Sequence, residues 1–304
     1  MRSTADPDRL APFEHERARL TGLAYRITGS LADAEDVVQE AWIRWSRDAG
    51  DVDNPAGWLT TVTSRLALDS LRAQRRRREV YVGPWLPDPV PTARSAEDTA
   101  ELAESLTLGF LVLLDSLVPT ERVAFLLFEV FGEPYRVIAE VVGKSEAACR
   151  QLVSRARRKM HSARPNDDSV GPVPASAELL VELMYSVLTG DEEKALRLLD
   201  PDVVLVSDGG PDRRAARYPI LGSTRVHRLI SGGWRLFGFK TRPGADQLPP
   251  VRVVDVNSSP SLVLDSPDGP IVITGEVVAG RISSIWIRLN PAKTAALTHQ
   301  QSIV

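Results

Sequence analysis

YRVIAEVVGKSEAACRQLVSRARRK, residues Tyr135–Lys159, is the stretch whose reading decides the fold. Ile138, Ala139, Val142, Cys149 and Leu152 fall on the spacing of two short helices packed through an apolar seam. Gly143 suits the tight turn between them. Ser145 suits the cap of the second helix, with Glu146 in its first turn. The pattern is that of a helix-turn-helix, and it assigns Cys149 to the interhelical core rather than to redox chemistry. From Lys144 to Arg164 seven basic residues stand against one acid, Glu146. A run of that kind is often only a solvated helix face. Turn chemistry and charge together favour a helix that enters the major groove of DNA. The candidates are Lys144, Ser145, Glu146, Arg150, Gln151, Ser154, Arg155 and Arg158, the early ones placed to read bases and the later basic ones to neutralise phosphates.

A second cationic run lies upstream. Asn54 and Pro55 open a helix, Asn as a cap and Pro tolerated in the first turn, and the pattern carries it from about Gly57 to Arg78. It ends in Arg72, Arg75, Arg76, Arg77 and Arg78, which also suits the negative end of a helix dipole. Trp58, Thr60, Thr61, Thr63, Ser64 and Arg65 precede that run. An aromatic, hydroxyls and a guanidinium suit unpaired bases and their phosphates, although Trp58 and Leu59 suit a core equally well. Further upstream, Leu31–Trp45 keeps helical spacing through Val37, Val38, Ala41, Trp42 and Trp45. It opens on Asp33, Glu35, Asp36 and Glu40, with Gln39 beside them. Acids at a helix start are favoured electrostatically whatever else they do.

Two proline-rich breaks divide the chain: 83–95, with Pro84, Pro87, Pro89 and Pro91, and 163–176, with Pro165, Pro172 and Pro174. Proline stops helices, so both read as linkers. The chain of 304 residues is long enough for two or three domains, and 43% apolar residues can build cores. A net charge of -3 decides nothing, because DNA binding depends on where charge sits. The single cysteine excludes an internal disulfide and fits a reducing compartment. The polar stretch 1–16 does not read as a secretory signal. The apolar run Leu106–Leu114 falls far short of a membrane span, so the expected location is the cytoplasm.

In this order the segments resemble an extracytoplasmic-function sigma factor. The resemblance runs through Ala34–Trp42, Asn54–Leu59, Arg65–Arg78 and the helix-turn-helix, and covers residues 10–162. It implies a first helical domain over 10–80 (region 2) and a second over 106–162 (region 4). It further implies that Asp33, Asp36, Gln39, Glu40 and Trp42 meet core RNA polymerase through its β′ and β subunits. Asp53, Asn54, Trp58, Thr61, Arg65, Arg72, Arg75 and Arg76 would capture the −10 element, and the helix after Ser145 would read the −35 element. In the 81–105 linker, Trp85-Leu86-Pro87-Asp88-Pro89 resembles the Trp-Leu-Pro-Glu-Pro motif of members that carry a fused SnoaL-like tail. Asp208-Gly209-Gly210 and Asn290-Pro291-Ala292-Lys293 are similar to two further motifs of that group, from which Pro211, Ala292 and Thr294 depart. The resemblance implies that these residues join the tail to the linker, and that the tail modulates activity in cis.

The tail, 177–304 after the 163–176 linker, reads as α+β, so the chain is multidomain: two all-α domains and an α+β SnoaL/NTF2-like cone. Helices are expected at Glu178–Leu188 and Glu192–Leu199. β-branched runs at Val251–Val256, Leu262–Leu264, Ile271–Val278 and Ile282–Ile287 suggest antiparallel strands. Tyr185, Trp234, Phe237, Phe239 and Trp286 are candidates for a core or for a pocket holding an unidentified small molecule. Asp208 and His227 are the one acid/base pair to nominate, and they do not make a convincing catalytic set. No metal spacing, cofactor motif or nucleophile triad is present, and no enzyme is expected. The alternatives are a ligand-sensing helix-turn-helix regulator, or an NTF2-like enzyme with an appended DNA-binding region.

Overall fold

A computed structural model of the chain describes residues 7–48, 52–79, 81–92, 106–162, 172–232 and 251–298. The chain divides into two compact units, Met1–Glu79 with Leu111–Ala163, and Val80–Phe110 with Arg164–Val304. Among the described residues no helix is long and apolar enough to cross a membrane.

The first unit is helical. α1 (Pro7–Thr28), α2 (Leu31–Asp48) and α3 (Pro55–Arg78) pack on one another. Their buried seams are Leu20, Leu23 and Ile27 of α1, Val37, Val38, Ala41 and Trp45 of α2, and Leu59, Ala67, Leu68 and Leu71 of α3. Burial at helical spacing is what holds helices of this length together. Asn54 caps α3, its Oδ1 accepting from the Gly57 amide at 3.0 Å. α4 (Leu108–Asp115), α5 (Pro119–Glu129), α6 (Tyr135–Val142) and α7 (Glu146–Ser162) follow.

The turn between α6 and α7 is made as the sequence predicts. Gly143 stands at φ 69° and its amide returns to the Ala139 carbonyl at 2.9 Å. Ser145 Oγ accepts from the Ala148 amide at 3.2 Å. Ile138, Cys149, Leu152 and Val153 are buried between the helices, and burial raises the Cys149 thiol above its ordinary pKa. Cys149 is therefore a core residue and a poor thiolate.

The second unit holds a sheet of order β3-β2-β7-β6-β5-β4. Its strands are β2 (Leu199–Asp208), β3 (Ile220–Leu221), β4 (Val251–Val256), β5 (Ser259–Ser266), β6 (Gly269–Val278) and β7 (Arg281–Arg288), with β1 (Val173–Pro174) paired to β6. β4 to β7 form an antiparallel meander. Its β4–β5 hairpin turns on Asn257 and Ser258, both at φ 54°, the left-handed pair that a two-residue hairpin requires. α8 (Ala177–Thr189), α9 (Glu192–Leu198) and α10 (Ser223–Gly232) accompany the sheet, and α11 (Pro291–Thr294) closes the described chain with a 3-10 turn, Ala295–Leu297. Leu180, Leu183 and Met184 of α8 meet Leu262, Ile273, Ile285 and Ile287 around a cavity of about 20 Å³, room for one water.

The four β-branched runs pair antiparallel as expected, and β2, which was not among them, joins β7 in parallel, so the sheet is mixed. Three expectations change. The tail begins earlier than residue 177, since Val173 and Pro174 already pair with β6. Residues 81–92 are no solvated spacer: Leu86, Pro87 and Pro89 are buried in the second unit. Tyr185 is 57% exposed and lines no core, whereas Trp286 is buried. Trp234, Phe237 and Phe239 lie outside the described residues.

Replacing Gly143 with Ala tests the turn. An added Cβ there meets open space, so the cost is purely conformational. Unfolding in denaturant is expected to show a loss of about 1 kcal/mol.

Candidate nucleic-acid interface and linker seat

α7 presents one face to solvent. Lys144, Ser145, Glu146, Arg150, Gln151, Ser154, Arg155 and Arg158 are all exposed, as a groove-reading helix requires. Neighbours hold several of its arginines in place. Arg150 pairs with Glu146 at 3.3 Å and lies 5.1 Å over the Tyr135 ring, which stacks on Phe128. Arg157 pairs with Glu129 and lies over Phe128. Arg155 and Lys159 both reach Glu121 on α5, at 3.2 and 2.7 Å. Glu121 is 4% exposed and was missed in the sequence, where nothing marks a buried acid in α5. Burial alone would push its carboxyl up. Hydrogen bonds from Lys159 and Arg155 outweigh that and hold it below its ordinary value.

α3 differs from its reading in part. Thr60, Thr61, Thr63 and Ser64 are buried, because they repeat at core spacing rather than on the outer face. Thr60 Oγ1 donates to the Ala56 carbonyl at 2.8 Å and accepts from Arg19. Thr61 keeps a place on a cleft of about 280 Å³ with Asn54, Trp58 and Arg65. Trp58 packs on Trp45 with centroids 5.3 Å apart. Asp53, Arg72 and Arg76 are exposed; Arg72 pairs with Asp69 at 2.9 Å, and Arg76 makes no ion pair among the described residues. Arg75 is turned inward, donating to the carbonyls of Asp115 and Leu117.

On α2, Asp36 and Gln39 are exposed, and Glu40 pairs with Arg44 at 2.9 Å. Trp42 is half-buried against Phe13, centroids 4.9 Å apart. Asp33 faces α3 instead of standing open, accepting from Gln74 Nε2 at 2.9 Å and from Arg77 at 3.4 Å.

The three tail-and-linker motifs converge within the second unit. Asp208, 1% exposed, ends β2. Its carboxylate accepts from Tyr81 Oη at 2.5 Å, the Leu86 amide at 2.9 Å, the Gly210 amide at 3.0 Å and Lys293 Nζ at 2.8 Å. Lys293 Nζ also donates to the Leu86 carbonyl, lies 4.0 Å over the Trp85 ring and stands 3.9 Å from Asp88. Asn290 caps α11 by accepting from the Ala292 amide at 3.1 Å and donates to Tyr81 Oη at 3.2 Å. The two glycines give room: a Cβ on Gly209 would stand 2.3 Å from the Arg213 carbonyl, and one on Gly210 2.6 Å from the Asn290 side chain. Pro211 is exposed, so no third glycine is needed, and Thr294 is buried and bonds back to Asn290. Burial and the Asp208 carboxylate raise the Tyr81 hydroxyl above an ordinary phenol, which keeps it a donor.

Past Pro89 the linker adds to the β4 edge. Thr92 donates to the Asp255 carbonyl at 3.0 Å, and the Asn257 amide donates to Val90 at 2.8 Å. Fully buried Arg288 holds the Asn257 side chain at 2.7 Å. Tyr81, Asn257 and Arg288 were missed; the Asn-Ser dipeptide between two β-branched runs was the available signal. Asp208 and His227 make no acid/base pair. Asp208 is fully engaged in the seat, while His227 bonds Ser231 Oγ at 2.9 Å. Among the described residues no cluster of His, Cys, Asp or Glu could hold a metal ion.

Two outcomes test this geometry. Because folding lowers the Glu121 pKa, its contribution is present above the unfolded value and is lost as pH falls through the folded one. The stability advantage of the native protein over Glu121→Gln should therefore shrink as pH is taken from neutrality to about 3, read by urea unfolding. Asp208→Ala strands a buried ammonium at Lys293. It should release the linker at a cost of about 3 kcal/mol, seen as roughly hundredfold faster hydrogen exchange at the Leu86 amide.

Residues 13–77 match the Sigma-70 region 2 family and residues 108–160 match Sigma-70, region 4. The ECF RNA polymerase sigma factor SigJ of Mycobacterium tuberculosis is 39% identical over 292 residues, covering 93% of this chain and 92% of that one. The probable ECF RNA polymerase sigma factor SigI of the same species is 36% identical over 229 residues, covering 74% and 76%. The crystal structure of the M. tuberculosis extracytoplasmic function sigma factor SigJ superposes with a TM-score of 0.74 at 35% identity, over 94% of this chain and 98% of that one. With both sigma regions present in order and a relative matched along almost its whole length, the chain belongs to the extracytoplasmic-function sigma-70 family, as a non-enzymatic initiation factor that engages core RNA polymerase and promoter DNA.

Proposed function

We propose that the exposed face of α7 reads the −35 element as duplex, with Lys144, Ser145, Glu146, Arg150, Gln151 and Ser154 toward the bases and Arg155 and Arg158 toward phosphates. The outer side of α3 with the loop before it (Asp53, Asn54, Trp58, Arg65, Arg72, Arg76) captures the −10 element as an opened strand, with the buried Thr61 at the floor of the cleft, and is joined by Arg75 once it leaves its carbonyl partners. Asp36, Gln39, Glu40 and Trp42 meet the polymerase β′ subunit, with β as a further partner. Asp33 belongs to that surface only through its hold on α3. The chain works in the cytoplasm, with the polymerase.

The tail acts in cis through the linker. One observation carries this reading: residues 81–92, which join region 2 to region 4, are held in the sheet unit by the carboxylate of Asp208 and the ammonium of Lys293. Seating them removes their length from the slack between the two DNA-binding domains, so the state of the seat governs how far those domains spread. The domains in this reading are region 2 over 10–80, region 4 over 106–162, and a SnoaL-like regulatory tail that includes the seated linker.

Run-off transcription with core polymerase tests the cis role. Full-length protein, Trp85→Ala, and a chain ending near Asp168 should give different yields; equal yields would overturn it. For the duplex reader, Arg158 is exposed and makes no ion pair among the described residues. Arg158→Ala should weaken promoter binding and reduce the slope of log K against log salt by about 1. Arg155→Ala should in addition lower stability, because Glu121 loses one of its two cations.

A further inference from the structure

The cleft beside Trp58 has a second wall. One wall is α3 and its preceding loop, with Asn54, Trp58 and Arg65; the other is α6, the first helix of the helix-turn-helix, with Arg136, Val137 and Glu140. Arg65 does not stand free to meet a strand. Its Nε and Nη2 donate to the Glu140 carbonyl at 3.2 and 2.8 Å, and Nη2 donates to Glu140 Oε1 at 3.2 Å. A planar guanidinium met by two or more oxygens is the arrangement by which arginine takes a phosphate.

Deeper contacts hold α3 to other helices of the unit, α4, α5 and α1, and none of them involves α6. Arg78 and Arg122 share the Asp115 carboxylate at 2.9 and 3.0 Å, and Arg122, fully buried, also donates to the Arg26 carbonyl at 2.9 Å. Burial pulls the Arg122 pKa down to about 10, with Asp115 opposing that pull. The two sets of contacts differ in kind. The Asp115 hub is largely desolvated, while Arg65 and Glu140 each keep about half of their side chains exposed, at 46% and 52%. An exposed pair is weak and screened by salt, so the rim yields before the hub.

We propose that α6 is a cover on the single-strand face of α3. Glu140 occupies Arg65 in the manner of a backbone phosphate, and a −10 strand enters only when α6 lifts. The surface is the α3 side of the cleft, and its occupant in the free protein is this chain's own α6. The inference rests on the single-strand reading of α3 made above. It gives region 4 a task besides duplex reading: it keeps region 2 from single strands until the two separate.

The test uses full-length protein with nitroxide labels on two exposed positions, Ala32→Cys on α2 and Ala147→Cys on α7; the resident Cys149 is fully buried. Spin-label distances and anisotropy of a fluorescent oligothymidylate are read together. The native protein should give one narrow distance. Glu140→Arg should lengthen and broaden it without DNA, and should raise oligothymidylate affinity several-fold. That rise must exceed the one from Glu193→Arg, a matched charge change on the tail. Glu140→Gln, which preserves size, should move both readouts the same way by less, and it serves should the reversal fail to fold. An unchanged distance in both variants, or a gain no larger than the control's, overturns the cover. Arg65→Ala separates the two claims. If it weakens oligothymidylate binding while the distance ignores every Glu140 variant, the single-strand reading stands and the cover is refuted. If it lengthens the distance but leaves affinity unchanged, the reading of α3 fails and the inference falls with it.

Discussion

A buried acid with donors from distant parts of the chain is the constraint on which both units depend. Asp208 is the clearest case. A carboxylate taken out of water costs several kcal/mol unless nearly every lone pair finds a donor. Here the donors come from the linker before region 4, from the turn after β2, and from α11. None of those segments can meet unless β2 and β7 run side by side in parallel, which brings Asp208 level with Arg288 and next to Leu289 and Asn290. The strand order, the glycine pair and the helix cap are thus solutions to one problem. Asp115 and Glu121 do the same work in the helical unit, the first joining α3 to α5 and the second α5 to α7.

The arginine-bearing helix α7 meets an opposite demand, which is to keep charge exposed without letting it wander. Long arginine side chains lose much rotamer freedom on binding. Arg150 resting on Tyr135 and Arg157 resting on Phe128 have given up part of that freedom before DNA arrives. The aromatic stack beneath them is the junction of α5 and α6, so the exposed face of α7 is stiffened by the core it rests on.

What was legible in the sequence was local. The helix-turn-helix shows because Gly143, Ser145 and the apolar seam all act within a few residues of one another. The start of α3 shows because a cap and a first-turn proline stand side by side. The hydroxyls of α3 misled because residue type was weighed before spacing: Thr60, Ser64, Ala67 and Leu71 recur every three or four positions, which marks a buried stripe. The linker misled for another reason. Prolines exclude helix, yet an extended proline segment can lie along a sheet edge, and nothing near Trp85 in the sequence says that Asp208 and Lys293 await it. Those two motifs were recognised only through family resemblance. Glu121 and Arg122 gave no sign, since a buried charge is defined by partners far away in the chain. Strand β2 was hidden by Asp200, Asp202 and Asp208, which break the apolar alternation of an otherwise ordinary strand.

The linker seat also has a place in time. The ammonium of Lys293 and the carbonyl of Leu86 that it meets are 207 positions apart. A ribosome adding about 5–20 residues per second needs roughly ten to forty seconds to travel between them. Region 2, the linker and all of region 4 therefore leave the ribosome well before the second half of the seat has been made. During that interval a nascent chain carries both promoter readers with the segment between them lacking its Lys293 contact. A chain cut short before Lys293, by early termination or by a protease, keeps only the Asp208 and β4-edge contacts of the seat. The Lys293 contact is thus a late addition to the place where the two readers are joined.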